Sequence, residues 1–329
     1  VFDLYWRVIG LPLSRFKGSI TDSIPFSLVE TALWVGSVAT AFWIYALIRR
    51  HKTSPLLKKI SFLLGPVFLL ALGLGQGAFP LSLAPSAWRS SITKEFGTDS
   101  LGEAEFKAWV HGREDSLRSL FEWGAYQSLT EREALATCDH SLDTVLSDLG
   151  LPPGRNVHAF KSMGPITTTF GLVYGGPAFH DPFFGELAIV HRSDLPTSRH
   201  WRLIAACHEA AHAKGFTREM DAEILTQLAL SRISDPRFQR LADIHFLEKA
   251  GFKIRWPDSL IAEGKRMREL RKETEKHQPV ISFLRRWAEK WNLRNSGGKY
   301  GDREAKEAWN PRQPFYATVH RLQPLVEKK

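Results

Sequence analysis

His208-Glu209-Ala210-Ala211-His212 sets two imidazoles and one carboxylate side by side in the chain. The surrounding run Leu203–Ala213 contains neither Pro nor Gly, so it reads as helix. Positions i and i+4 of a helix share a face. Both rings then point the same way and can bind one Zn²⁺ at about 2.0–2.1 Å each. Glu209 stands beside the first ligand without being one, which is where a general base for a metal-activated water belongs. The bland alternative is a pair of satisfied core histidines. It is the weaker reading, because ionisable groups on an Ala-rich helix are costly to bury unless paired or bound to metal.

The residues after His212 extend the pattern. Gly215 is a helix stop and Thr217 an N-cap for a second helix over about Arg218–Ser231, with Ile224, Leu225 and Leu228 facing inward. Glu219 falls in its first turn, seven residues after His212. A tight turn returns it to the metal as third ligand, with Asp221 as the fallback. Glu223, one turn further on, is placed to accept the second N–H of a ligand histidine. In a motif whose third ligand is His, that position is occupied here by Arg218, which cannot ligate. Three protein ligands and an open position describe a catalytic zinc. Upstream, Leu187–His191 reads as a short strand that could hold an extended peptide by edge pairing. Tyr174, His180 and His191 are candidate donors to an oxyanion.

The elements that must position this site come next. Segments 99–123 and 130–149 carry apolar residues at helical spacing, and Leu151-Pro152-Pro153-Gly154 breaks the pattern. Residues 157–192 are rich in Gly, Pro, Thr and aromatics. Nearer the start, Ser27–Ile48 and Ile60–Leu83 are long apolar runs, and about 20 such residues suffice to cross a bilayer. Arg49, Arg50, His51, Lys52, Lys58 and Lys59 lie between them with no acid, and short basic loops stay in the cytoplasm. The expectation is therefore two transmembrane helices in residues 28–88, behind an interfacial segment 1–27 that carries Trp6, Leu11, Leu13 and Phe16. An extracytoplasmic α+β domain over 89–235 holds the site, and a basic helical segment 236–329 follows.

Charge and cysteine content narrow the partners. The net charge of +9 resides in residues 236–329, which carry 22 basic and 12 acidic side chains. The default reading of this segment is a solvated helical face, and contact with anionic lipid headgroups is the alternative. Nucleic acid is not expected, because acids are interleaved and no nucleic-acid motif occurs. Cys138 and Cys207 are the only cysteines, too few for a disulfide framework. A bridge between them would need a compartment outside the cytoplasm. Cys207, beside His208, is read as a small buried residue.

The order of segments resembles an uncharacterised family of bacterial membrane proteins, a domain of unknown function suspected of zinc-metallopeptidase chemistry. Pro12-Leu13-Ser14-Arg15 and Ile24-Pro25-Phe26-Ser27 resemble its segment before the membrane helix, and the two apolar runs follow. Gly176 to Glu186 is similar to its Pro-Phe-Thr-Gly-Glu stretch. His208 to Glu223 is similar to its H-E-x-A-H-Q-x-G-x-x-R-E-D-E-A-N run, with departures at Ala213, Asp221 and Glu223. The Glu219-to-Ala222 spacing also resembles the third-ligand helix of gluzincin peptidases. The resemblance implies a multi-pass protein of the bacterial inner membrane, with Zn²⁺ on His208, His212 and Glu219, and with a peptide or protein substrate. Two other readings are a membrane scaffold with a closed, four-ligand structural zinc, and a non-proteolytic zinc amidohydrolase acting on the cell envelope.

Overall fold

The computed structural model describes residues 6–24, 27–48, 91–96, 101–119, 125–162, 178–181, 186–189, 199–216, 218–249, 258–277 and 313–327. It is mainly helical. The helices are α1 (Leu11–Ser23), α2 (Leu28–Ile48), α3 (Glu103–Ser119), α4 (Glu131–Asp148), α5 (Arg199–Ala213), α6 (Glu219–Arg232), α7 (Pro236–Lys249), α8 (Asp258–His277) and α9 (Gln313–Glu327), with short helical turns at Trp6–Gly10, Ile92–Glu95 and Ala125–Ser128. A small sheet has strands β1 (Lys161–Ser162), β2 (Ala178–Asp181) and β3 (Glu186–Ile189) in the order β1-β3-β2. β3 runs parallel to β1, with Lys161 opposite Ala188, and antiparallel to β2, with His180 opposite Leu187.

Local chemistry explains the helices that matter most. Thr130 caps α4: its hydroxyl accepts the Glu133 N–H at 3.1 Å while the Glu133 carboxylate accepts the Thr130 N–H at 2.7 Å. This reciprocal pair satisfies two donors that a helix start otherwise leaves unpaired. Ala134, Leu135, Cys138, Leu142, Val145 and Leu146 form the inward face of α4. α5 presents Leu203, Ile204, Ala206, Cys207, Ala210 and Ala211 to the same core. Their small side chains let α5 lie close against α4 and α6. The core does not stop at residue 235. Phe238, Leu241 and Phe246 of α7 and Phe315, Tyr316 and Val319 of α9 belong to it. The Tyr316 ring meets Phe106 edge-on at 4.6 Å and Phe246 at 4.9 Å. α8, by contrast, shows Lys265, Arg266 and Arg268 to solvent.

One expectation is overturned. Among the described residues, no helix is long and apolar enough to cross a membrane. The segment read as a first transmembrane helix is α2. Its first turn carries Glu30, which is buried, and its start is docked on the domain: the Ser27 hydroxyl and the Leu28 N–H donate to the Glu186 carboxylate of β3 at 3.0 and 3.2 Å. A tally of apolar residues cannot register that docking. The segment read as a second span, 60–83, and the basic loop 49–59 lie outside the described residues.

Candidate metal centre

α5 brings His208 and His212 to one face, as their spacing requires. Its C-terminus is closed by Gly215, whose φ of 98° is left-handed and whose N–H donates to the His212 carbonyl at 2.9 Å. The next N–H, of Phe216, reaches back to Ala211. This left-handed reversal is easy for Gly and strained for other residues. It turns the chain so that α6 starts beside the end of α5. Arg218 is the N-cap of α6 and offers no side-chain hydrogen bond, while Thr217, expected in that role, lies outside the described residues.

Glu219, first residue of α6, then faces both histidines. His208 Nε2 lies 3.1 Å from Glu219 Oε2, His212 Nε2 lies 3.5 Å from Glu219 Oε1, and the two Nε2 atoms are 3.0 Å apart. Ligands of a tetrahedral zinc at about 2.0–2.2 Å sit about 3.3 Å from one another. The three donor atoms thus fit such an ion. The His212 tautomer supports the fit. Its Nδ1 is 2.6 Å from the Phe216 carbonyl, which can only accept, so Nδ1 carries the proton and Nε2 keeps its lone pair for a metal. Without a metal, burial opposes charge on His212, but its hydrogen bond to the Glu219 carboxylate and the charge of Glu209 outweigh it and raise its pKa to about 9. The same contacts hold Glu219 well below the usual carboxylate range, His208 first and His212 second. A metal would replace that proton.

Glu209 is buried and lies near enough to His208, His212 and Glu219 to feel their charge. Burial pushes its carboxyl up. His212 and His208 pull it back, Glu219 adds to the rise, and a hydrogen bond from the His180 backbone N–H pulls it down again. That N–H belongs to β2, which lies against α5. The His180 ring is stacked on His212 at 6.5 Å between centroids. Of the three candidate oxyanion donors, His180 is therefore at the site, while Tyr174 and His191 lie outside the described residues. Asp221 is turned elsewhere. It is buried and accepts the Ser91 hydroxyl at 3.0 Å, capping the turn Ile92–Glu95. Glu223 is half-buried on α6, and the acceptor on His212 Nδ1 is the Phe216 carbonyl.

Several supporting groups went unread in the sequence. Cys207, beside His208, is bridged to Cys138 of α4, with Cα atoms 5.4 Å apart. Lys214, two residues after His212, is wholly buried, with Nζ 2.8 Å from Asp139 and 2.7 Å from Asp143. The backbone of Gly154 presses on it: a Cβ there would come within 2.3 Å of the Lys214 side chain. The only advance signal was the pair of acids at i and i+4 on α4. The sheet also differs from expectation. β3, the strand read as a peptide edge, is central and paired on both sides, and β2 is the outer strand next to the site.

The chain matches the family described as a protein of unknown function, DUF3810, over residues 5–277. It belongs to that family. No curated protein and no solved structure matches it. DUF3810 membership covers the α1–α8 part of the fold and includes every residue of the candidate centre.

Proposed function

We propose that this DUF3810 chain is a zinc metallopeptidase of the H-E-x-x-H, gluzincin-like type. The observation that carries the reading is the convergence of His208 Nε2, His212 Nε2 and the Glu219 carboxylate beside buried Glu209. His208, His212 and Glu219 would hold Zn²⁺, which supplies Lewis acidity toward a water and a carbonyl oxygen. Glu209 takes the proton of the attacking water and passes it to the leaving amine. The His180 N–H orients that carboxylate from β2. β2, an outer strand of the described sheet that lies against α5, is where an extended peptide would add as a further strand. A structural-zinc scaffold would call for a fourth ligand. Among the described residues three ligating side chains gather, which favours an open position.

Elemental analysis of the purified chain tests the ligand set. One zinc per chain is expected, lost in the His208→Ala, His212→Ala double variant. Zinc retained by that variant would overturn the assignment. Turnover of envelope-derived amides with no peptide cleaved would move the substrate class to the non-proteolytic reading.

A further inference from the structure

The small sheet has two faces, and they carry different residues. Side chains alternate along a strand, and residues paired across strands share a face. Ala178 of β2 and Ile189 of β3 are paired and pack on Ala205 of α5. His180 and Leu187 are the next pair on that face, and the His180 ring is the one stacked on His212. Glu186 and Ala188 of β3 therefore face the other way, and so does Lys161 of β1, which is paired with Ala188. Both charged side chains are buried, Glu186 at 2% exposure and Lys161 at 9%. They reach the junction between α1 and α2, where α1 lies against β3.

Each charge sits where the junction can use it. Lys161 donates to the carbonyl of Ile24, the C-cap of α1. The Glu186 carboxylate accepts from the Ser27 hydroxyl at 3.0 Å and from the Leu28 N–H at 3.2 Å. Ser27 in turn accepts the Glu30 N–H at 3.1 Å, so one hydroxyl caps α2 and ties it to the sheet. A cation at a helix end and an anion at a helix start each complement the backbone dipole. Apolar packing would dock the junction with less desolvation; the charged contacts add a fixed register. Asp181 and Glu186 are the last described pair of the β2–β3 hairpin, and His180, whose N–H holds Glu209, is the next residue along β2. We propose that Glu186 is a positioning residue for the metal centre: its grip on the start of α2 fixes the end of the hairpin, and so sets β2 and His180 against α5. The effect on turnover rests on the proposed peptidase chemistry, whereas the placement of β2 does not.

The test uses four variants of the full chain. Glu186→Ala removes the acceptor, Ser27→Ala removes one donor, Ser27→Thr keeps that donor, and Thr130→Ala at the start of α4 is the control for lost stability. Amide hydrogen exchange over 178–181 reads β2 directly, with zinc content and peptide turnover measured on the same samples. Glu186→Ala should speed that exchange at least about tenfold, since hydrogen bonds to a buried carboxylate are strong local restraints. Exchange over 135–146 of α4 should stay at the wild-type rate. The kcat should fall about ten- to a hundredfold as the centre loses alignment, with zinc content unchanged. Ser27→Ala should move both readings the same way by less, and Ser27→Thr should restore them. Wild-type exchange over 178–181 in both Glu186→Ala and Ser27→Ala overturns the proposal, and Ser27→Ala alone decides it where Glu186→Ala does not fold. Equal acceleration in Thr130→Ala overturns it too, because the effect would then be one of general stability. So does a wild-type kcat in a chain whose β2 has loosened. A wild-type chain that cleaves no peptide, while Glu186→Ala still loosens β2, overturns the peptidase chemistry and supports the placement of β2.

Discussion

α5 and α1 depart from the inside-outside rule in opposite directions. α5 carries Glu209 into the interior and ends on a buried Lys214, whereas α1 leaves Phe16 and Ile20 in contact with water. Among the described residues, three of the buried charges near α5 have named partners. Lys214 has two carboxylates, Glu209 has the His180 N–H and both histidines nearby, and Arg155 has Asp22. The exterior apolar groups are answered by nothing within the described fold. Ionisable groups are tolerated inside where partners offset their desolvation, and large apolar stripes persist outside where a surface covers them. Each departure is thus a place where something other than folding set the residue type.

The interior half is broken most severely at Glu209. Glu209→Gln keeps nearly the same volume and all three ligands. It should cut peptide turnover by about 10²–10⁴ while zinc stays bound, because one residue handles both proton transfers. Glu219→Gln should act the other way and weaken metal retention. Peptide-library turnover with metal content measured in parallel separates the two. Cleavage by Glu209→Gln at the wild-type rate would show that this carboxylate is not the base.

Two further changes address what holds α5 in place. Lys214→Ala leaves buried Asp139 and half-buried Asp143 without their cation and should cost about 3–5 kcal/mol. Urea unfolding reads it, and adding Asp139→Asn with Asp143→Asn should restore part of the loss. A Lys214→Ala variant as stable as wild type would mean that the ion cluster does not fasten the helix. The Cys138–Cys207 bridge closes a loop of 69 residues. The Cys138→Ala, Cys207→Ala pair should lose about 2–4 kcal/mol. Thiol titration of the unfolded wild-type chain should give two reactive groups after reduction and none before. Free thiols before reduction would remove the bridge from the account.

Much of the centre was legible because its logic is local. His208 and His212 are one helical turn apart, and Gly215 can reverse the chain, so Glu219 could be placed from spacing alone. α4 was legible at both ends for the same reason, bounded by Thr130 and by the Pro-Pro-Gly break. The partners that hold α5 were not. Cys138 lies 69 residues from Cys207, and nothing in two isolated cysteines says that α4 and α5 are neighbours. The Phe216 carbonyl is backbone and has no sequence signature. Lys214 at the end of an Ala-rich helix reads as solvated until Gly154 is seen covering it. The apolar run of α2 misled most. Composition reported its length and hydrophobicity, but not its tether to Glu186.

The smallest effect expected is at the start of α4, and it separates local anchoring from general stability. α4 supplies Cys138, Asp139 and Asp143 to α5, all beyond its first turn. Thr130→Ala removes the cap and the reciprocal bond to Glu133, which should cost about 1 kcal/mol. The fraying it causes is confined to the first turn, so the bridge and the ion cluster should survive. The melting temperature should fall by a few degrees, while zinc content and the thiol titration stay as in wild type. If zinc affinity fell together with stability, α5 would be held by α4 as a whole. The bridge at Cys207 and the ion pairs at Lys214 would then be bystanders to the geometry of the site.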